Sequence, residues 1–215
     1  MKVLNLYACL GGNRLKWTDC EVTAVELDPE LARMYQERFP NDTVIVGDAH
    51  QYLLDHYKEF DFIWTSPPCP THSRARGYNP KLETKYPDMK LYEEIIMLQT
   101  VSKGDDARFK GRFVVENVIP YYEPLIPAQK RGRHLYWANF VIPHMNLREG
   151  VRIGKEKDEI TAWCKFHDYN FRQYKGEQPM NKIARNLVDY EAGKIIFDAA
   201  KGIYKANNAN QTELF

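Results

Sequence analysis

The sequence predicts an α/β fold, with a mostly parallel sheet covered by helices on both faces. Two observations carry that expectation. Short apolar runs alternate with segments of helical period through the first half of the chain, and such alternation implies right-handed crossovers between parallel strands. With 215 residues and 44% hydrophobic content, the chain can bury the core of one good-sized domain. A third observation concerns function. In sheets of this kind ligands gather at the carboxyl ends of the strands, and "LYACLGG", "VELD", "VGDA", "SPPC" and "VENV" all fall there.

Each element has its own signal. "KVLNLYA" is a strand running into the glycine turn "CLGGNR", and "EVTAVEL" is a second strand stopped by Asp28-Pro29. "PELARMYQERF" places Leu31, Met34, Tyr35 and Phe39 at near-helical spacing. "DTVIVGDA" is a third strand, "HQYLLDHY" a short helix, and "FDFIWTSPP" a fourth strand with a proline stop. "DMKLYEEIIMLQTV" is a helix with Leu91, Ile95 and Leu98 in a stripe, and "GRFVVENV" is a fifth strand. After Asn139 the pattern weakens into mixed polar and aromatic sequence. It returns in "RNLVDYEAGKIIFDAAKGIY", read as one helix with Ile195, Ile196, Ala199 and Ile203 along a face; the tail "KANNANQTELF" is polar.

Composition bounds the function classes. A net charge of +1 neither argues for nor against a nucleic-acid partner, because local patches matter more than the sum. Cys9, Cys20, Cys69 and Cys164 are scattered, with neither zinc spacing nor a disulfide framework, which points to a reducing, cytoplasmic setting and no metal. The apolar run at the N-terminus is broken by Asn5 and reads as a first strand rather than a signal peptide. No stretch approaches the roughly 20 apolar residues of a membrane span.

Three strand ends suggest a nucleoside ligand. Gly11 and Gly12 let the backbone approach a ligand closely. Glu26, closing the second strand, can accept from ribose hydroxyls, and Asp48, closing the third, from an adenine amino group. The turn lacks the Gly-Lys-Ser/Thr ending of a phosphate-binding loop. S-adenosylmethionine therefore fits better than a dinucleotide. Cys69, between prolines in "TSPPCPTHS", reads either as a small buried residue or as a nucleophile at the lip of the sheet.

The chain resembles the DNA (cytosine-5)-methyltransferases. "LYACLGGNR" is similar to that family's Phe-x-Gly-x-Gly-Gly loop, "SPPCPTHS" to its catalytic Pro-Cys loop, and "ENV" at Glu116 to Val118 matches outright. "QKRGR", Gln129 to Arg133, matches Gln-x-Arg-x-Arg, and "RNLVDYEAG" resembles the late Gly-Asn-Ala-Val motif. These blocks occur in family order and span nearly the whole chain. The resemblance implies a Rossmann-like, S-adenosylmethionine-dependent fold. It implies cofactor contacts from Tyr7, Ala8, Cys9, Leu10, Gly11 and Gly12, then from Glu26 and Leu27, Asp48 and Ala49, Pro68, and finally Asn186 and Val188.

The same resemblance implies that Cys69 adds to cytosine C6, that Glu116 binds the base at N3 and its amine, that Arg133 reaches O2, and that Arg131 buttresses the site or a phosphate. A nearby positive field is expected to help the thiol ionise. Asn117 is expected to order the loop and, with Pro68, Ser73, Arg74, Arg76 and Gln129, to line the DNA side. The base must be flipped out of the duplex to be reached. In "THSRARGYNPKLETKYPD", Arg74, Arg76, Lys81 and Lys85 alternate with Tyr78 and Tyr86, a composition suited to phosphates and an unstacked strand.

Departures from the family pattern are also legible. Cys9 and Arg185 stand where the family has glycines, and Pro70 where it has a glutamine. The recognition interval is very short, which implies a short or relaxed target, or a partner that supplies specificity, as in a phage-type enzyme. The implied organisation is a catalytic core over 1–142, a reduced recognition segment over 143–180 with Trp163 and Tyr169 as candidate contacts, a completing helix over 181–204 and a tail over 205–215. Double-stranded DNA is the implied partner, in a bacterial or phage-infected cell. Cytosine-N4 methylation, cytosine-5 methylation of RNA and a silent DNA-binding role remain as alternatives.

Overall fold

The computed structural model describes residues 1–74, 83–100, 109–151 and 158–203. Its centre is a seven-stranded sheet of β1 (Lys2–Leu6), β2 (Glu21–Glu26), β3 (Thr43–Val46), β4 (Phe62–Thr65), β5 (Arg112–Val118), β6 (Gln129–Arg131) and β7 (His134–Ala138), in the order β3-β2-β1-β4-β5-β7-β6. The first five strands are mutually parallel, and β7 is antiparallel to both its neighbours. From β1 the chain winds outward to β3 and then returns to β4. The strand order reverses between β1 and β4, the place where such sheets open a crevice for ligands.

Helices α1 (Pro29–Arg38), α2 (Ala49–His56), α3 (Lys90–Gln99), α4 (Glu159–His167), α5 (Met180–Asn186) and α6 (Tyr190–Ala200) complete the fold. The strands are apolar on both faces because both are covered. Leu4, Leu6, Ile63, Phe113 and Val115 pack with Leu53 of α2 and Leu91 and Ile95 of α3. Val3, Phe62, Trp64, Val114 and Tyr136 face the other way, against Trp17 and Ile196 and Phe197 of α6. Asn5, the polar break in β1, is fully buried, and its amide pairs with that of buried Asn13 (Asn13 Nδ2 to Asn5 Oδ1, 2.8 Å).

Two expectations change. The last helix is not continuous: α5 ends at Asn186, and α6 starts afresh at Tyr190 with the Asp189 carboxylate capping the Glu191 amide. The buried face of α6 is Ala192, Gly193, Ile196 and Phe197, whereas Ile203 lies beyond it and is exposed. The weakly patterned region after Asn139 carries regular structure as well. Trp163, Phe171, Tyr174 and Ile183 form an apolar cluster with Leu10, Leu31 and Met34.

Candidate active site at the carboxyl edge of the sheet

The loop after β1 is shaped by three residues in the left-handed region: Tyr7 (φ 55°), Cys9 (φ 48°) and Gly11 (φ 65°). Cys9 thus holds a backbone conformation that favours glycine. A Cβ on Gly12 would sit 2.2 Å from the Val188 carbonyl oxygen, so the late Asn186–Val188 segment is seated directly on the glycine turn. Asn186 is exposed, and Arg185 turns to a bidentate pair with Glu159 at 2.6 Å. Arg38 of α1 donates to the Leu10 carbonyl (2.9 Å) and fixes the outer side of the loop.

Glu26 ties the first two strand ends together. One carboxylate oxygen accepts from the Cys9 amide (2.8 Å) and the other from the Asp28 amide (3.0 Å). Burial pushes this carboxyl up, against those amide bonds. Burial also takes the Cys9 thiol to about 12, with Glu26 adding to it, so Cys9 is an inert thiol. Beside Glu26, Leu27 is 71% exposed, an apolar side chain displayed at a strand end. Asp48 caps α2 through the His50 and Gln51 amides. Partial burial opposes its ionisation, but those amides and Lys90 hold the carboxyl below its ordinary value. A part-buried carboxylate for a diol, an exposed leucine for an aromatic face and a second carboxylate one strand over fit a nucleoside. Ala8 and Ala49 are buried.

Beneath this edge, Glu94 of α3 is a buried acid at the switch point. It accepts from Tyr7 Oη (2.6 Å) and Thr65 Oγ1 (2.6 Å), and His50 Nδ1 lies 3.0 Å away. Sequence reading missed this network, because its members come from four elements. It joins the loop after β1 to the end of β4.

Cys69 and Glu116 come from the ends of adjacent strands, β4 and β5, where Thr65 pairs with Val115. Asn117 is buried and its Nδ2 donates to the Pro67 carbonyl (2.9 Å), locking the proline loop to β5. Pro68 is exposed at the turn. The positive field expected at the thiol does not dominate. Burial, then the Glu116 charge, push Cys69 above its ordinary value, and Lys182 of α5 opposes this only in part. After Cys69 the chain is zipped to the segment following β5. The His72 and Ser73 amides bond the Cys69 carbonyl at 3.0 Å, His72 Nδ1 meets Tyr122 Oη at 2.5 Å, and Arg74 Nε donates to the Pro120 carbonyl. Arg76 lies outside the described residues, as do Tyr78 and Lys81.

β6 and β7 form a hairpin whose two-residue turn has Gly132 at φ 57°. Arg133 is exposed at its tip. The other two residues of this motif are braces. Gln129 donates to the Phe140 carbonyl and accepts from the Ile142 amide, both at 2.8 Å. Arg131 donates to the carbonyls of Ile142 and Pro143 at 3.0 and 2.9 Å. Trp163 is 3% exposed, with its indole N–H on Glu159, and so is core rather than a recognition contact. Tyr169 lies under the Arg38 guanidinium at 4.6 Å. One neighbour of Glu116 went unread in the sequence: His134 Nε2 is 3.5 Å from Glu116 Oε1. Among the described residues there is no cluster suited to a metal, and no helix is long and apolar enough to cross a membrane.

Comparison with known proteins shows what the chain is similar to. Residues 1–104 match the model for C-5 cytosine-specific DNA methylase, a span that holds the loop after β1, both strand-end acids and Cys69 and stops short of Glu116. No curated protein matches the chain. Among solved structures it is similar to a hypothetical protein of Thermus thermophilus (19% identity, TM-score 0.42, covering 64% of this chain and 73% of that one). It is also similar to DNMT2 of Spodoptera frugiperda (23%, 0.35, 54% and 35%) and to a TehB-like SAM-dependent methyltransferase of Corynebacterium glutamicum (16%, 0.38, 64% and 78%).

Proposed function

We propose that this chain is a DNA cytosine methyltransferase, a reading supported by the match of its first 104 residues, and that it methylates C5 through a covalent Cys69–C6 adduct on a flipped-out base. The observation that carries the reading is that Cys69 follows β4 and Glu116, outside the matched span, stands near the end of the adjacent parallel strand β5, near enough for its charge to push the thiol up.

The residue types follow from the chemistry. Cytosine C5 is a poor nucleophile. When the Cys69 sulfur bonds C6, the C5=C6 electron pair shifts to C4–C5, and the C4=N3 pair moves onto N3. Glu116 gives N3 a proton, and C5 becomes the nucleophilic end of an enamine. S-adenosylmethionine, when bound, supplies the electrophilic methyl group that C5 takes. Water or hydroxide from solvent then removes the C5 proton. The electron pair re-forms C5=C6, the sulfur leaves, and N3 returns its proton. The loop at Tyr7–Gly12, with Glu26, Leu27 and Asp48, would hold the donor. Arg133, at the hairpin tip, is placed for the cytosine O2 or a neighbouring phosphate.

Negative charge on Glu116 pushes the thiol up, against its ionisation. A protonated Glu116, the form that can donate to N3, carries no charge and lets the Cys69 proton pass to solvent, so the form of the acid that serves the base also frees the thiolate. Nucleoside mass spectrometry of duplex DNA incubated with S-adenosylmethionine tests the reading. 5-Methyldeoxycytidine is expected from wild type and none from Cys69→Ala. N4-methyldeoxycytidine, or undiminished product from the alanine variant, would overturn it.

A further inference from the structure

One ionisable side chain at this edge has no part in the chemistry above. His134 opens β7, opposite Val118 of β5, with Glu116 one diagonal away on the same face of the sheet. Its Nε2 stands 3.5 Å from Glu116 Oε1. The Glu116 side chain is 9% exposed and that of His134 34%, so the imidazole reaches solvent where the acid does not. Catalytic hydrogen bonds are often this long before substrate binds and tighten in the complex.

We infer that His134 is a positioning residue for Glu116: it fixes Oε1, leaves the other carboxylate oxygen to the cytosine, and is the group through which Glu116 receives its proton. The inference rests on the cytosine-5 reading. Its proton count closes. As sulfur adds to C6, Glu116 passes a proton from its free oxygen to N3, and His134 passes one from Nε2 to Oε1. Glu116 emerges as still protonated at Oε1 and His134 as a neutral imidazole. When the sulfur leaves, the N3 proton returns along the same route.

The surroundings leave Glu116 as the acid in contact with the ring. Arg131, opposite His134 on β6, has its guanidinium bonded to the Ile142 and Pro143 carbonyls. Tyr136 presents a ring edge at 6.3 Å, Val118 carries no charge, and Arg133 precedes it at the exposed turn. Cys69 enters the same field through Glu116.

The test compares wild type, His134→Gln and His134→Phe as full-length chains, reading kcat and KM for duplex DNA from 5-methyldeoxycytidine formation at pH 5.5 to 8.5. Glutamine can hold Oε1 through its amide but cannot pass a proton. It is expected to lower kcat about tenfold, below the full range for direct acid–base groups because it acts through Glu116. KM should stay near wild type, and the loss of kcat should vary across the pH range. Phenylalanine, which fills the strand position without a polar atom, should lose more and raise KM. A loss of equal size at every pH, full activity in the glutamine variant, or rescue by phenylalanine would overturn the inference while leaving the methylation reading intact. Wild-type protein that makes no 5-methyldeoxycytidine would remove both.

Discussion

At Cys69 the decisive quantity is the local field rather than the thiol itself. A buried sulfur beside a carboxylate resists ionisation, and the Lys182 charge pulls the other way without prevailing. Glu116→Gln removes the charge while keeping the shape, so the Cys69 pKa falls. Alkylation of Cys69 by iodoacetamide at pH 8, followed by peptide mass spectrometry, should run about threefold to tenfold faster in that variant, since one pKa unit is a tenfold change in thiolate. An unchanged rate would separate the two residues. The same variant should be nearly inactive, because faster ionisation does not replace the proton that N3 requires. Cys9 is the second residue where the backbone decides. At φ 48° a side chain costs about 1–2 kcal/mol that glycine does not. Cys9→Gly is therefore expected to match or exceed wild type in urea denaturation, and Cys9→Val to fall below both. The reverse order would show that the packing of the thiol outweighs the strain.

At the scale of elements, Glu94 of α3 does for the sheet edge what no single strand could. Tyr7 follows β1, Thr65 ends β4, His50 lies in the first turn of α2, and all three converge on one buried carboxylate. Glu94→Ala leaves these groups without their acceptor and should cost about 3 kcal/mol or more, with weaker S-adenosylmethionine binding because Tyr7 shapes the loop. Unchanged stability and unchanged binding would dismiss the network as incidental. The bond to Glu94 raises His50 above its ordinary 6.5. Its stabilising contribution is thus fully present below pH 6.5 and is lost as pH rises through the raised folded value. The five parallel strands were legible because each is a short apolar run with a polar stop, and Cys69 and Glu116 stood inside recognisable motifs at two of those stops. Glu94 and His134 were not legible. Glu94 looks like an ordinary acid on a helix, and His134 reaches Glu116 only because β7 pairs antiparallel to β5, a pairing with no local signature in "QKRGRHLYWA".

Across the whole molecule, chain regions distant in sequence close over the loop after β1. Trp163, Phe171 and Ile183 share a cluster with Leu10, and Asp28 accepts from Tyr174 Oη (2.8 Å) and Gln178 Nε2 (2.9 Å) while capping α1. The sequence hid this packing, since aromatic residues mixed with polar ones show no clean period. His167 makes the arrangement testable. It is 1% exposed, stacked on Trp163 at 5.5 Å, with Nε2 3.1 Å from the Ala184 carbonyl. Burial pushes it down to about 4. An unfolded chain takes up that proton near pH 6.5 and the folded one refuses it until about 4, so the unfolded state holds more protons between those values and stability falls as the pH falls. The loss amounts to about 3 kcal/mol across the window, opposite in sign to the His50 contribution. His167→Phe gives up the bond to Ala184, about 1 kcal/mol, and should start lower at pH 7.5. Its urea midpoint should then decline less steeply toward pH 4.5 than that of wild type. Parallel declines would mean that the imidazole is protonated in the fold and that other groups set the acid limit. Because Leu10 rests on the same cluster, methyl-donor affinity in wild type should weaken over the window in which α4 and α5 loosen.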